Sequence, residues 1–130
     1  MNEVWRSYPG APDEGTPVCA ASDVPEGAAR CLSLRVRGEE FPLLVLRRGG
    51  RIRGYVNACP HQYLPLNYRS ATVLSADGTR LLCSAHGAAF DAESGACLSG
   101  AAESLDPVPL VEDDGGLVVV RRSGSTAQAG

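Results

Sequence analysis

Histidine is scarce in this chain: His61 and His86 are its only two among 130 residues. Long apolar runs are missing as well, and none approaches the roughly 20 residues that a bilayer-spanning helix needs. The N-terminal stretch Met1-Asn2-Glu3-Val4-Trp5-Arg6 lacks a basic segment followed by an apolar one, so no secretory signal is read there. No G-x-G-x-x-G cradle for phosphates is present, nor any repeat or heptad. Excess positive charge is also lacking. The formal net charge is −3 and the sequence pI about 5.3, which gives no footing for nucleic acid or an anionic membrane surface. These absences predict a single cytoplasmic domain, long enough to bury about two-thirds of its unfolded surface.

What the chain does have is a pairing of its scarce residues. Each histidine follows a cysteine, as Cys59-Pro60-His61 and as Cys83-Ser84-Ala85-His86-Gly87. Two thiols and two imidazoles can hold a tetrahedral zinc ion, or a [2Fe–2S] cluster with cysteines on one iron and histidines on the other. Zinc sites of this composition usually pair C-x₂₋₄-C with H-x₃₋₅-H. Here each half-site contributes one residue of each kind, which suits two irons bridged by sulfide. Thiolates stabilise ferric iron, so an incoming electron goes to the imidazole-ligated iron. The competing reading without metal would require both histidines to fall beside cysteines by chance.

These motifs resemble the Rieske family, and neighbouring residues agree: Pro60, Pro65-Leu66, then Gly87-Ala88-Ala89-Phe90-Asp91 and Ser94-Gly95-Ala96-Cys97. The resemblance covers roughly residues 18 to 120. It implies one [2Fe–2S] cluster per chain, held by Cys59, His61, Cys83 and His86. It also implies an all-β fold, a small antiparallel barrel or sandwich with an inserted cluster-binding subdomain over residues 57–100. Members from respiratory complexes carry a further cysteine in each cluster loop, joined as a disulfide. The matching positions here are Leu64 and Ala85, so the likeness is to the soluble ferredoxin branch. Members with high potentials place a Ser and a Tyr two and four residues after the second ligand histidine. Ala88 and Phe90 stand there, which predicts a potential at the low end of the Rieske range of about −150 to +300 mV. The family's covering loop often continues Gly-Pro, whereas Gly100 precedes Ala101, so looser shielding of the cluster is expected.

The rest of the chain reads as short strands between turn signals. Residues 1–16 are an N-terminal extended arm anchored by Trp5 or Tyr8, 17–122 the Rieske domain, and 123–130 a disordered tail. Strict alternation over residues 30–37 turns Leu32, Leu34 and Val36 inward and leaves Cys31 on the other face as a solvent-reachable thiol. Phe41 to Leu46 and Ile52 to Val56 form a hairpin through Gly49-Gly50, with Arg47, Arg48 and Arg51 as a solvated tip. Asp77-Gly78 turns a second hairpin that feeds Cys83 and His86. Pro107 and Pro109 mark an edge strand, and Glu112, Asp113 and Asp114 a solvated turn. Cys19, Cys31 and Cys97 read as reduced thiols, Cys19 and Cys97 among them as small buried hydrophobes.

With both histidines assigned, none remains for the 2-His-1-carboxylate iron of an oxygenase. The expectation is a one-electron carrier, not itself an enzyme, between a flavin-dependent reductase and a terminal oxygenase or reductase, docking at His61 and His86. The alternative is a small non-catalytic subunit of a larger reductase, such as a nitrite reductase.

Overall fold

The computed structural model describes residues 4–8, 10–58, 65–67, 72–83, 88–100 and 103–121. Ten strands follow in order: β1 Pro17–Ala20, β2 Ala29–Val36, β3 Glu39–Arg48, β4 Arg51–Val56, β5 Arg80–Leu82, β6 Ala89–Asp91, β7 Cys97–Ser99, β8 Pro107–Val108, β9 Leu110–Glu112 and β10 Leu117–Val120. They form three antiparallel sheets, ordered β1-β10-β9, β2-β3-β4-β8 and β5-β6-β7. The fold is therefore all-β, and the described residues contain no α-helix.

The meander β2-β3-β4 is set by two-residue turns. Val36 pairs with Glu39 across Arg37-Gly38, and Arg48 with Arg51 across Gly49-Gly50. All four turn residues have positive φ. Their twist matches that of the flanking strands, and glycine meets the requirement at no steric cost. Glu26 secures the second turn by accepting from the Gly49 and Gly50 amides at 2.6 and 2.8 Å.

Both faces of β3 are buried, and they face different cores. Phe41, Leu43 and Val45 join Trp5, Val24, Val56, Val108 and Val120, where the central sheet meets β1-β10-β9. Leu44 and Leu46 join Tyr55, Leu66, Leu81, Cys83, Ala88 and Phe90, where the same sheet meets β5-β6-β7. Strand alternation separates the two sets, and burial on both sides explains the unbroken apolar run of residues 41–46.

Several expectations are corrected. Cys31 does lie opposite Leu32 and Leu34, but its face is covered: it packs half-buried against the second core, and burial raises its thiol pKa. Arg47 is not a solvated tip. Its guanidinium donates to the carbonyls of Val24 (2.7 Å) and Ala21 (3.2 Å) and to Glu112 (2.7 Å), which ties Glu112 into the structure too. Asp113 accepts from the Gly115 and Leu117 amides and so shapes its own turn. Cys19 and Cys97 are half-buried, not enclosed. The arm is not wholly extended: Val4–Ser7 forms a 3₁₀ turn. Its anchors are as expected, since Trp5 is fully buried and both Trp5 and Tyr8 meet Phe41 edge to face. Pro107 does sit in an edge strand, paired with β4 alone, and the tail from residue 123 lies outside the described residues.

Candidate metal centre

The meander delivers the chain to the first half-site. Beyond β4, the Asn57 amide donates to the Pro42 carbonyl at 3.1 Å, so pairing with β3 runs one step past the strand. The Asn57 side chain is buried, which for a neutral amide demands partners. It has them. Its Oδ1 accepts from the Leu66 amide at 2.9 Å and its Nδ2 donates to Asn67 Oδ1 at 3.1 Å. Asn57 thus joins the two ends of the segment that carries Cys59 and His61. Those two residues, with Pro60 and Leu64, lie outside the described residues.

The second half-site hangs from a hairpin neck. Asp77 organises the preceding turn, accepting from the Ser75 hydroxyl (2.7 Å), the Thr79 hydroxyl (2.7 Å) and the Thr79 amide (3.0 Å). These bonds, led by that from Ser75, hold its carboxyl well below the usual carboxylate range. The return strand β5 pairs with β6, Leu82 opposite Ala89, and one step on the Cys83 amide donates to the Ala88 carbonyl at 2.8 Å. That bond closes the neck at residues 83 and 88; Ala85 and His86 lie outside the described residues. Cys83 itself is 1% exposed, and no disulfide joins it to Cys19, Cys31 or Cys97.

Leu66, just beyond the first segment, packs in the same core as Cys83, Ala88 and Phe90, so both segments are rooted in one apolar body. That body is fastened to the central sheet by polar contacts. The Tyr55 hydroxyl donates to the Ala92 carbonyl at 2.9 Å, and burial pushes its pKa up to about 12. Glu93 accepts from Arg53 (2.9 Å) and Arg48 (3.0 Å), with Arg53 the larger cause of its lowered pKa. Gly100, at φ +85°, closes on the second half-site from the other side. A Cβ there would lie 2.9 Å from the Ala88 Cα.

The donor set fits an iron–sulfur group. Cys83 offers a buried, unbridged thiol at a fixed neck, and in the sequence each candidate half-site pairs one cysteine, a soft donor type, with one histidine. Three supports escaped sequence reasoning: Asn57, Tyr55 and Glu93. A polar residue ending the apolar run Tyr55-Val56 was the one available signal for Asn57.

Comparison with known proteins decides the family. The sequence profile described as the Rieske [2Fe-2S] domain matches residues 14–123. The chain belongs to the Rieske family. A Rieske domain binds a [2Fe–2S] cluster, and this chain carries that cofactor. Its fold is similar to the ferredoxin of carbazole 1,9a-dioxygenase from Nocardioides aromaticivorans IC177, with a TM-score of 0.65, 21% identity, and coverage of 84% of this chain and 98% of that one. The Sphingomonas yanoikuyae B1 ferredoxin gives a TM-score of 0.63 at 22% identity over 83% of this chain and 98% of that one. A chain of the complex of reduced oxygenase and oxidised ferredoxin in carbazole 1,9a-dioxygenase gives 0.63 at 28% identity, covering 80% and 90%. A search of curated protein sequences finds no match. Among the described residues of this Rieske chain, no helix is long and apolar enough to cross a membrane.

Proposed function

We propose that this Rieske protein is a one-electron carrier that takes electrons from a flavin-dependent reductase and delivers them to a terminal oxygenase in the cytoplasm. The observation that carries the reading is its likeness, over 90% of the matched chain, to a structure from a ferredoxin–oxygenase complex. The residues support the same role. Cys59, His61, Cys83 and His86 hold the cluster, which supplies a site for one electron. Both histidines are engaged there, so the chain has no imidazole for a mononuclear iron and acts as a carrier, not as an enzyme by itself. The remaining side chains shape the environment: Cys83, Ala88 and Phe90 exclude water from one side, while Asn57 and the hairpin neck hold the two ligand segments. Residues 57–100 form the cluster-binding unit, and the imidazole edges of His61 and His86 are where redox partners approach.

Protein purified anaerobically should contain two irons and two acid-labile sulfides per chain, the content of one [2Fe–2S] cluster. Its reduced form should give the low-average-g EPR signal of mixed ligation. Mixed with a flavin reductase and a Rieske oxygenase, it should be reduced by the one and reoxidised by the other while running alone on gel filtration. Stoichiometric zinc without labile sulfide would sink the reading. Permanent co-elution with a large reductase would replace the shuttle with a fixed subunit.

A further inference from the structure

We propose that Asn57 is the positioning residue of the first half-site, fixing where Cys59 and His61 meet the second. The inference rests on the ligand assignment above and deepens it. Among the described residues, Asn57 is the one buried polar or charged residue, at 5% exposure. Its polar atoms are engaged by two separate parts of the chain. Oδ1 receives the Leu66 amide and Nδ2 reaches Asn67, both beyond the first half-site. The Asn57 backbone amide is held by Pro42 on β3. A single residue therefore ties the start of the ligand segment to its end through its side chain, and to the central sheet through its backbone.

The second half-site needs no such device, because β5 and β6 pair directly and the Cys83–Ala88 backbone bond closes its neck. Residues 57 and 66 stand in no described strand pair, so a side chain does there what a ladder does at the other half-site. Supporting residues of this kind orient ligands without touching the metal, and their loss typically lowers metal affinity 10- to 100-fold. Leucine at position 57 would keep the branched outline while leaving the buried Leu66 amide without its acceptor.

The test uses the whole cluster-loaded protein. Asn57→Leu should release its cluster to a chelator 10- to 100-fold faster than the parent and show altered EPR g values. Asn67 is exposed, so Asn67→Ala folds whatever Asn57→Leu does; having lost one of the two fastenings, it should release the cluster about fivefold faster. Val120→Ala is the control for ordinary structural loss. It leaves a cavity in the other core, the one that Trp5 and Phe41 join, and should lower the melting temperature with g values and release rate unchanged. Parent-like g values and release rates in the Asn57 and Asn67 variants would overturn the inference, as would equal spectroscopic change in Val120→Ala. Absence of labile sulfide in the parent would instead remove the ligand assignment itself.

Discussion

On one face of β3, Phe41, Leu43 and Val45 look into a core closed by aromatic edges from Trp5 and Tyr8 and by valines from four strands or turns. On the other, Leu44 and Leu46 look into a core that holds a thiol, the Tyr55 hydroxyl and the small residues Ala88 and Ala92. The first is bulk packing, where hydrophobic residues of suitable volume are interchangeable at modest cost. The second mixes polar and small groups with apolar ones at fixed positions, as a core needs that presents ligands on the proposed assignment. On the proposed ligand assignment, the difference divides stability from function across the thickness of one sheet: packing of the fold on the arm side, and the environment of the cluster on the other.

The sharpest way to break that division is to damage each side alone. Cys83→Ser should abolish stoichiometric cluster binding, read as loss of visible absorbance and iron. Trp5 is the only tryptophan, so its fluorescence should stay as in the parent and report the arm-side core intact. Collapse of both signals together would show the two cores to be one unit. Trp5→Ala is the converse and should destabilise the fold by about 3–5 kcal/mol. Denaturant titration measures that loss, and the EPR line shape of the folded fraction should not move.

Finer changes concern the cluster side. Phe90→Tyr and Ala88→Ser each place a hydroxyl in a fully buried position beside the second half-site. A hydroxyl that donates to a cluster sulfur favours the more negative, reduced state. Each should raise the potential by on the order of 40 mV, equivalent to about 1 kcal/mol for one electron. Voltammetry of both variants decides, and unchanged potentials would mean that this core does not tune the cluster.

Acid should loosen the seam between the two sides. Arg53 and Arg48 depress the Glu93 pKa below its ordinary 4.5, so the stabilisation from this ion pair is complete above that pH and is lost as pH falls through the lowered folded value. The melting temperature of Glu93→Gln should lie below that of the parent at pH 7 and converge with it in acid; a constant gap would remove Glu93 from the seam. The smallest effect is on Cys31. Burial raises its thiol pKa and shields it, so iodoacetamide should modify it more slowly than it modifies glutathione. Tyr55→Phe should speed that reaction by letting the seam open.

Alternation made β2, the β3–β4 hairpin and the Asp77-Gly78 turn legible in the sequence, and the paired Cys/His motifs placed Cys83 at the end of a return strand. A period of two tells which residues share a face, but not what lies against it. That is why Cys31 read as exposed although β5-β6-β7 covers it, and why Arg47 read as solvated although carbonyls of a distant turn converge on it. Asn57 was illegible for a related reason. Its partners lie nine and ten residues away, reached only through a fold that brings residues 66 and 67 back to the end of β4.

The contiguity of β2, β3 and β4 also has a consequence in time. These strands span residues 29–56 and are joined by tight turns, so their pairing closes short loops, whereas β1 pairs with β10 from the far end of the chain. Contacts close in sequence form early and those between distant segments late. A chain emerging in order from synthesis therefore has this meander before it has β10, and Asn57 waits at its end. On this order the central sheet exists while the core that β10 closes is still open, so the face of β3 carrying Phe41, Leu43 and Val45 is the last to be covered.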